Sequence, residues 1–162
     1  MVTHCQALEL DKALGSKGGM ATAYGNLGTV YHQRRGELDK AEEMHRKSLE
    51  LHEALGRKEG MAMDYGNLSS VYYKCGELDK AEEMHRKALK LHQALYNKEG
   101  MAQTYLNLGI LYEERSNLAQ AEAAWQKSLR LYQEMGAMQH PDAMKVQHEL
   151  NKLAEQRSTS TQ

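Results

Sequence analysis

Two patterns of apolar residues alternate along the chain, and both have the spacing of an α-helix. In the first, Tyr24, Leu27 and Tyr31 recur at steps of three and four residues. In the second, the residues at such steps are Leu38, Ala41, His45, Ser48, His52 and Leu55. Both sets fall on one face of a helix. Glycines at Gly36, Gly56 and Gly60 break one pattern from the next, so the sequence predicts helical hairpins joined by short loops.

The hairpin pattern occurs three times, which makes the chain a tandem repeat. The units begin at Met20, Met61 and Met101, at spacings of 41 and then 40 residues. The stretch GELDKAEEMHRK appears twice without change, at 36–47 and at 76–87. One hairpin cannot bury its apolar face alone, whereas stacked hairpins can. The sequence therefore predicts an all-α protein built from antiparallel helix hairpins.

The repeat resembles the tetratricopeptide pattern in its small and aromatic residues. The matching residues are Leu27-Gly28, Tyr31, Gly36, Ala41 and Ser48, then Leu68, Tyr72, Gly76, Ala81 and Ala88, then Leu108-Gly109, Tyr112, Ala121 and Ser128. The period of about 40 residues exceeds the family's usual 34. It resembles the long-repeat branch found in Pins-type adaptors, kinesin light chains and many bacterial regulators. This resemblance implies a right-handed superhelical solenoid.

We expect a single domain over residues 1–157. Its parts are a leading half repeat at 1–19, repeats at 20–60, 61–100 and 101–139, and a capping helix at 140–157. Proline followed by aspartate, at Pro141, suits the start of that last helix. Its one apolar stripe consists of Ala143, Val146, Leu150 and Leu153.

The two ends of the chain carry separate expectations. The Ser- and Thr-rich stretch at 158–162 is predicted to be disordered. The chain opens within the second helix of a unit, which would lack its usual neighbour. We therefore expect either a longer array or a second copy of the chain that covers this helix.

Composition gives no support to a nucleic-acid or membrane partner. Charged residues make up 27% of the 162 residues, yet the formal net charge is only −1. The sequence has no basic block, no apolar run long enough to span a bilayer and no signal-type leader. Cys5 and Cys75 fit no metal or redox spacing. We therefore expect a cytoplasmic protein that needs no cofactor.

The charged residues of the second helix are predicted to form a solvated face. Glu42 precedes Arg46 by four residues, and Glu43 precedes Lys47 in the same way, which is the favourable orientation on a helix surface. No Ser-His-Asp, Cys-His or paired-carboxylate arrangement has a fixed context, and no loop has a phosphate-binding motif. We therefore predict that the protein is not an enzyme.

The eight histidines suggest an alternative role as a metal- or pH-responsive regulator. Stacking would align His4, His45 and His85 in a row, and three imidazoles can bind zinc or nickel. The third repeat, however, has Trp125 and Tyr132 at the corresponding positions, and these residues cannot replace histidine as a zinc ligand. We therefore expect no bound metal. The histidines are interpreted as half-buried packing residues with a hydrogen-bond partner and a lowered pKa.

An asparagine recurs at one position of every first helix, directly before the repeat's leucine. These residues are Asn26, Asn67 and Asn107. An amide side chain can donate to and accept from a peptide backbone at once. In the adaptor and kinesin light chain families that the repeat resembles, asparagines at this position line the concave groove and contact peptides. The alternative is that each amide ties neighbouring first helices together.

Other residues on the same side of the first helices are expected to set specificity. They are Thr22, Gly25, Thr29 and Gln33, then Met63, Gly66, Ser70 and Lys74, then Gln103, Leu106, Ile110 and Glu114. Glycine inside a helix is unfavourable, so Gly25 and Gly66 predict a close approach by a ligand or a neighbouring helix. The predicted function is a noncatalytic scaffold that binds a protein or peptide segment in its concave groove. The alternative is a module that self-associates through its N-terminal helix.

Overall fold

Eight α-helices account for nearly all of the residues that the structure describes. The computed structural model describes residues 2–34 and 36–160, and no strand occurs within them. The helices are α1 (Val2–Ala13), α2 (Lys17–His32), α3 (Leu38–Ala54), α4 (Lys58–Lys74), α5 (Leu78–Ala94), α6 (Lys98–Glu114), α7 (Leu118–Glu134) and α8 (Pro141–Ser160). The chain divides into two compact units, one ending at Leu91 and one beginning at His92. This division lies within α5 rather than at a repeat boundary, and the single domain over 1–157 stays a prediction.

Consecutive helices pair as the predicted hairpins. We call α2, α4 and α6 the first-type helices and α1, α3, α5 and α7 the second-type helices. In the first unit α2 packs against α1 and α3, and α3 packs against α4; in the second unit α7 packs against α6 and α8. Alanine lets the helix backbones approach closely. Alanines at equivalent positions of the three repeats are buried, namely Ala21, Ala62 and Ala102 on first-type helices and Ala41, Ala81 and Ala121 on second-type helices.

The first-type helices begin three residues before the methionines that start the predicted repeats. Ser16 and Asn97 explain this early start, because their side chains accept hydrogen bonds from the backbone N–H groups of Gly19 and Gly100. Such bonds satisfy donors that the first turn of a helix leaves free. Gly60 therefore lies inside α4 and does not separate the repeats, contrary to the sequence-based expectation.

Helices α3, α5 and α7 each place a large ring against a small residue of the first-type helix in the same hairpin. The pairs are His45 with Gly28, His85 with Ser69, and Trp125 with Gly109. A Cβ atom at Gly28 would lie only 2.7 Å from the imidazole of His45. The Oγ atom of Ser69 is 3.0 Å from the ring nitrogens of His85. The glycine of the Leu-Gly motif is thus required by the size of the opposite side chain.

Lysines of the second-type helices lie over tyrosine rings, and this cation–π contact recurs along the chain. The ammonium nitrogen is 5.3–5.7 Å from the ring centroid in each case, a favourable distance. The pairs are Lys40 with Tyr31, Lys47 with Tyr24, Lys80 with Tyr72, Lys87 with Tyr65, and Lys127 with Tyr105. The lysines therefore cover apolar ring surface in addition to forming the predicted surface ion pairs.

One of the predicted surface ion pairs is partly buried and joins two repeats. Glu42 and Arg46 form the expected pair, with Nε and Oε1 2.8 Å apart. Arg46 also donates to the hydroxyl of Tyr72, and that hydroxyl donates to Glu42, both over 2.6 Å. Burial and the bond to Glu42 raise the pKa of Tyr72 to about 12. The pair is therefore a link between α3 and α4, and the prediction of a wholly solvated face was wrong here.

The last helix has the expected start but a later end. Ala143, Val146 and Leu153 are buried, and Leu150 is half-buried, as a cap with one wet face requires. The ring of His140 stacks on Tyr132 with centroids 5.2 Å apart. The backbone of α8 is helical through Ser160, and the disordered tail at 158–162 stays a prediction. Serine and threonine are only modest helix breakers, and residues 161 and 162 lie outside the described part.

The loops turn through residues with a left-handed backbone, and two of these residues are not glycine. Glycine fills the position at Gly15, Gly36, Gly56, Gly76 and Gly136, with φ between 64° and 79°. Tyr96 and Ser116 occupy corresponding positions with φ of 52° and 58°. A left-handed backbone is unfavourable for residues with a Cβ atom, so both positions are strained.

We expect Tyr96→Gly to stabilise the protein by about 0.5–1 kcal/mol, because it removes this strain. The side chain of Tyr96 is 90% exposed, so little packing is lost. Urea denaturation measures the gain. Tyr96→Ala is the matched control, since it removes the same ring but keeps a Cβ atom. Equal stability of the glycine and alanine variants would contradict the assignment of strain to this backbone.

Candidate functional site

Six of the residues that the sequence predicts on the groove side line one pocket in the first unit, which we call the α2–α4 pocket. It lies between helices α2, α3 and α4 and has a volume of about 190 Å³. The predicted residues in its lining are Thr22, Asn26, Thr29, Met63 and Asn67, together with Gly25. Asparagines from two successive repeats therefore face the same pocket.

The asparagine amides are available to a ligand. Within the described residues, the side chains of Asn26, Asn67 and Asn107 form no hydrogen bond. Asn26 is exposed and Asn67 is half-buried, both at the α2–α4 pocket. The alternative interpretation, in which these amides tie neighbouring helices together, has no hydrogen bond to support it in the described part of the chain.

The two glycines inside the first-type helices have different surroundings. A Cβ atom at Gly25 would contact Ser48 at 3.4 Å and lie 3.9 Å from Oδ1 of Asp64. A Cβ atom at Gly66 would meet no described atom within 4 Å. A neighbouring helix therefore does not explain glycine at position 66, and close approach by a ligand stays a prediction.

The remaining predicted residues of the first unit lie outside the pocket lining. Gln33 is the exposed C-cap of α2. Ser70 donates to the carbonyl of Gly66 on its own helix. Lys74 donates to the carbonyl oxygen of His32 over 3.2 Å, so its ammonium group helps to close the end of α2.

The second unit carries the predicted residues of the third repeat along α6. Gln103 and Glu114 are exposed, and Asn107 and Ile110 are half-buried. Leu106 was expected on the same side, but it is only 3% exposed. The apolar side chain belongs to the core, and its carbonyl accepts a hydrogen bond from Nε1 of Trp125 over 3.2 Å.

The floor of the α2–α4 pocket contains polar residues that the sequence analysis missed. Asp64 of α4 is 2% exposed, and its Oδ2 atom lies 2.8 Å from Nδ1 of His52 on α3. Ser48 of α3 also lines the pocket and donates to the carbonyl of Ala21 over 2.9 Å. A comparison of the repeats could have indicated Asp64, because the corresponding residues are Ala23 and Thr104. A carboxylate at a position otherwise small or neutral is a departure from the repeat.

Burial dominates the electrostatics of Asp64. Desolvation raises the pKa of its carboxyl group, while the hydrogen bond from His52 and the nearby hydroxyl of Ser48 act in the opposite direction. The nearest other titratable group is His45, whose Nδ1 lies 4.0 Å from Oδ1. This distance is too long for a hydrogen bond, so His52 is the firm partner of the carboxylate.

Two histidines of the predicted row, His45 and His85, are packing residues, and they are buried rather than half-buried. Burial lowers the pKa of His45 and of His85 to about 4, with a contribution from the charge of His32 at His45. Within the described part of the chain, Nδ1 of His45 has no hydrogen-bond partner, which corrects the expectation of one. Its apolar contact with Gly28 accounts for the burial. Among the described residues, no group of three or more potential ligands could hold a metal ion.

Membrane crossing has no candidate segment in the described residues. None of the helices described for this chain combines the length and the apolar character that crossing a bilayer requires.

Comparison with known structures identifies the fold. The crystal structure of BtubC (BKLC) from P. vanneervenii is similar to this one, with a TM-score of 0.65 and 20% sequence identity. The match covers 88% of this chain and 66% of that chain. At this identity the similarity concerns the fold, and it confirms the all-α helical-repeat solenoid that the sequence predicted.

Comparison with known sequences identifies the family. No curated protein matches the chain. The family profile described as tetratricopeptide repeat matches residues 6–54 and 59–134, which is most of the chain. This match confirms the resemblance found in the repeated Leu-Gly, tyrosine and alanine positions. The chain therefore belongs to the tetratricopeptide repeat family.

Proposed function

We propose that the protein is a noncatalytic scaffold that binds a peptide segment of a partner protein along its first-type helices. Tetratricopeptide repeats generally mediate protein–protein interaction, and this chain belongs to that family. The observation that carries the finer proposal is the α2–α4 pocket, where Asn26 and Asn67 present amides that form no hydrogen bond in the described part of the chain.

The chemistry of the pocket suits a peptide backbone. Each amide can donate one hydrogen bond and accept another, which matches the alternating groups of an extended or helical main chain. Gly25 and Gly66 let that main chain approach the helices closely. Met63 is 67% exposed beside them and offers a flexible apolar contact.

We extend the proposal to the other predicted groove residues. Gln103, Asn107, Ile110 and Glu114 on α6 would contact the segment within the second unit. Gln33, Ser70 and Lys74 would contact it beyond the α2–α4 pocket on α2 and α4. These residues would set specificity, whereas the asparagines would hold the backbone irrespective of sequence.

We expect the triple variant Asn26→Ala, Asn67→Ala, Asn107→Ala to lose peptides that the parent protein selects from a random peptide library. The loss in affinity should be at least about tenfold, since three hydrogen bonds are removed. Calorimetry with resynthesised peptides measures it. A variant carrying Gln6→Ala, Gln93→Ala and Gln133→Ala is the matched control, because it removes three exposed amides from second-type helices.

Two results would contradict the proposal. Equal affinities of the triple variant and the parent would remove the asparagines from the site. A well-folded parent that selects no peptide would favour the alternative, self-association. In that case α1 would be the surface to test, because Leu10 on this helix is 61% exposed and Leu14 directly after it is 71% exposed.

A further inference from the structure

The α2–α4 pocket contains a buried carboxylate with few hydrogen-bond donors. An ionised carboxylate has room for about four hydrogen bonds, and burial without partners is strongly unfavourable. His52 supplies one donor, to Oδ2 of Asp64. Asp64 therefore has accepting capacity that the described residues leave unused.

Ser48 can fill only one further place of that capacity. Its hydroxyl lies near both Asp64 and the carbonyl of Ala21, and it donates to Ala21 over 2.9 Å. A hydroxyl group has a single proton, so it cannot serve both acceptors at once. His45 is also unsuitable, since Nδ1 is 4.0 Å from Oδ1.

Asp64 and Gly25 both line the pocket, and glycine leaves the space beside Oδ1 of Asp64 unfilled. Gly25 lines the pocket, and the position that its missing Cβ atom would occupy is 3.9 Å from Oδ1. A larger residue at position 25 would stand between the carboxylate and a ligand. The pocket volume of about 190 Å³ is several times the roughly 30 Å³ that one water molecule occupies in the liquid. One side chain of a ligand can therefore enter.

The charge of the pocket selects the kind of side chain. Asp64 and His52 are the only titratable residues in the pocket lining, and the other lining residues carry no charge. An ionised Asp64 places a negative charge in the pocket lining. A cation there would supply both the missing donors and the compensating charge, as charge-assisted hydrogen bonds do.

We propose that this pocket binds a lysine or arginine side chain of the partner segment, with its cationic head on Asp64 and its stem along Met63. This inference rests on the proposed peptide-binding function and adds the chemical class of one anchor residue. The main chain next to the anchor lies between Asn26 and Asn67. Because Ala23 and Thr104 replace Asp64 in the other repeats, the second repeat fixes the register of the peptide.

The test compares peptides selected from a random library by the parent, by Asp64→Asn and by Glu59→Gln. Glu59 is an exposed carboxylate in the first turn of the same helix and is absent from the pocket lining, so its substitution controls for loss of charge alone. We expect the parent and Glu59→Gln to enrich lysine or arginine at one peptide position. Asp64→Asn should lose this enrichment.

A double-mutant cycle then assigns the contact. A selected peptide and its version with glutamine in place of the basic residue are titrated against the parent and Asp64→Asn. We expect the peptide change to weaken binding to the parent by roughly 10- to 100-fold and to have little effect on the variant. Asp64→Thr is a second variant, because threonine already occupies this place in the third repeat.

Each outcome supports or overturns the inference. Peptides without a basic preference that still depend on the asparagines would overturn the cation site and leave the proposed function standing. A peptide change that weakens binding equally with and without Asp64 would overturn it as well. Absence of any selected peptide for the folded parent would overturn both proposals together.

Discussion

Trp125→Ala is expected to destabilise the protein by about 3–5 kcal/mol, because it removes a large, fully buried side chain from the third repeat. The side chain of Trp125 is 0% exposed, packs on Gly109 and donates from Nε1 to the carbonyl of Leu106. Truncation would leave a cavity and remove the hydrogen bond from Nε1 to that carbonyl. Trp125 is the only tryptophan, so its substitution removes the tryptophan fluorescence signal. Urea denaturation is therefore followed by far-UV circular dichroism. Gln126→Ala, at the exposed neighbouring position, is the control and should change stability little.

A second substitution tests the packing on Gly109. A Cβ atom at this position has no room beside the indole ring. Gly109→Ala should therefore destabilise the parent markedly but have a much smaller effect in the Trp125→Ala background. Independent, additive effects of the two substitutions would show that the ring and the glycine are not coupled.

Acidification is expected to weaken the fold through its buried histidines. The pKa of His45 and of His85 is lowered to about 4 in the folded protein, against about 6.5 when unfolded. Between these values the unfolded chain binds more protons, so stability falls as pH falls. From about pH 7.5 to about pH 5.5 the two residues together should remove roughly 2–3 kcal/mol. Melting temperatures across this range measure the loss.

Other titratable groups also change the size of the effect. The pKa of His92 and of His32 is also lowered, mainly by burial, which adds to the loss. The raised pKa of Asp64 acts with the opposite sign, because the folded state then binds the proton more tightly. The variant His45→Phe, His85→Phe keeps rings at both places and should lose much less stability on acidification. An unchanged melting temperature of the parent would refute the histidine interpretation.

Repetition made the architecture predictable. The helical spacing in a single stretch, such as Tyr24 to Tyr31, is a weak signal. Its recurrence in three repeats made the prediction of a helix firm. The same comparison placed Asn26 and Asn67 at equivalent positions, and the structure brings both to one pocket. Features that recur in every repeat could be predicted, because equivalent residues pack against equivalent neighbours in each copy.

The details that the sequence did not predict depend on single departures from the repeat or on contacts between distant residues. Only the second repeat has an aspartate at the position of Asp64, and its partner His52 belongs to another helix. Leu106 was assigned to the groove because it occupies the position of Gly25 and Gly66 in the third repeat. Its apolar side chain instead packs in the core. The link from Glu42 to Tyr72 connects residues 30 positions apart. Helical spacing alone contains no information on such pairs.

The fit between rings and small residues has a consequence for how the protein changes over evolutionary time. A ring on a second-type helix and its counterpart on the first-type helix, such as Trp125 and Gly109, are acceptable only in combination. A mutation at one position limits the residues that are tolerated at the other. The two positions should therefore vary together among descendants. Duplication of a complete hairpin preserves the fit between the ring and the small residue. Exchange of one helix alone would destroy this fit, so we expect the repeat to be duplicated as a whole hairpin.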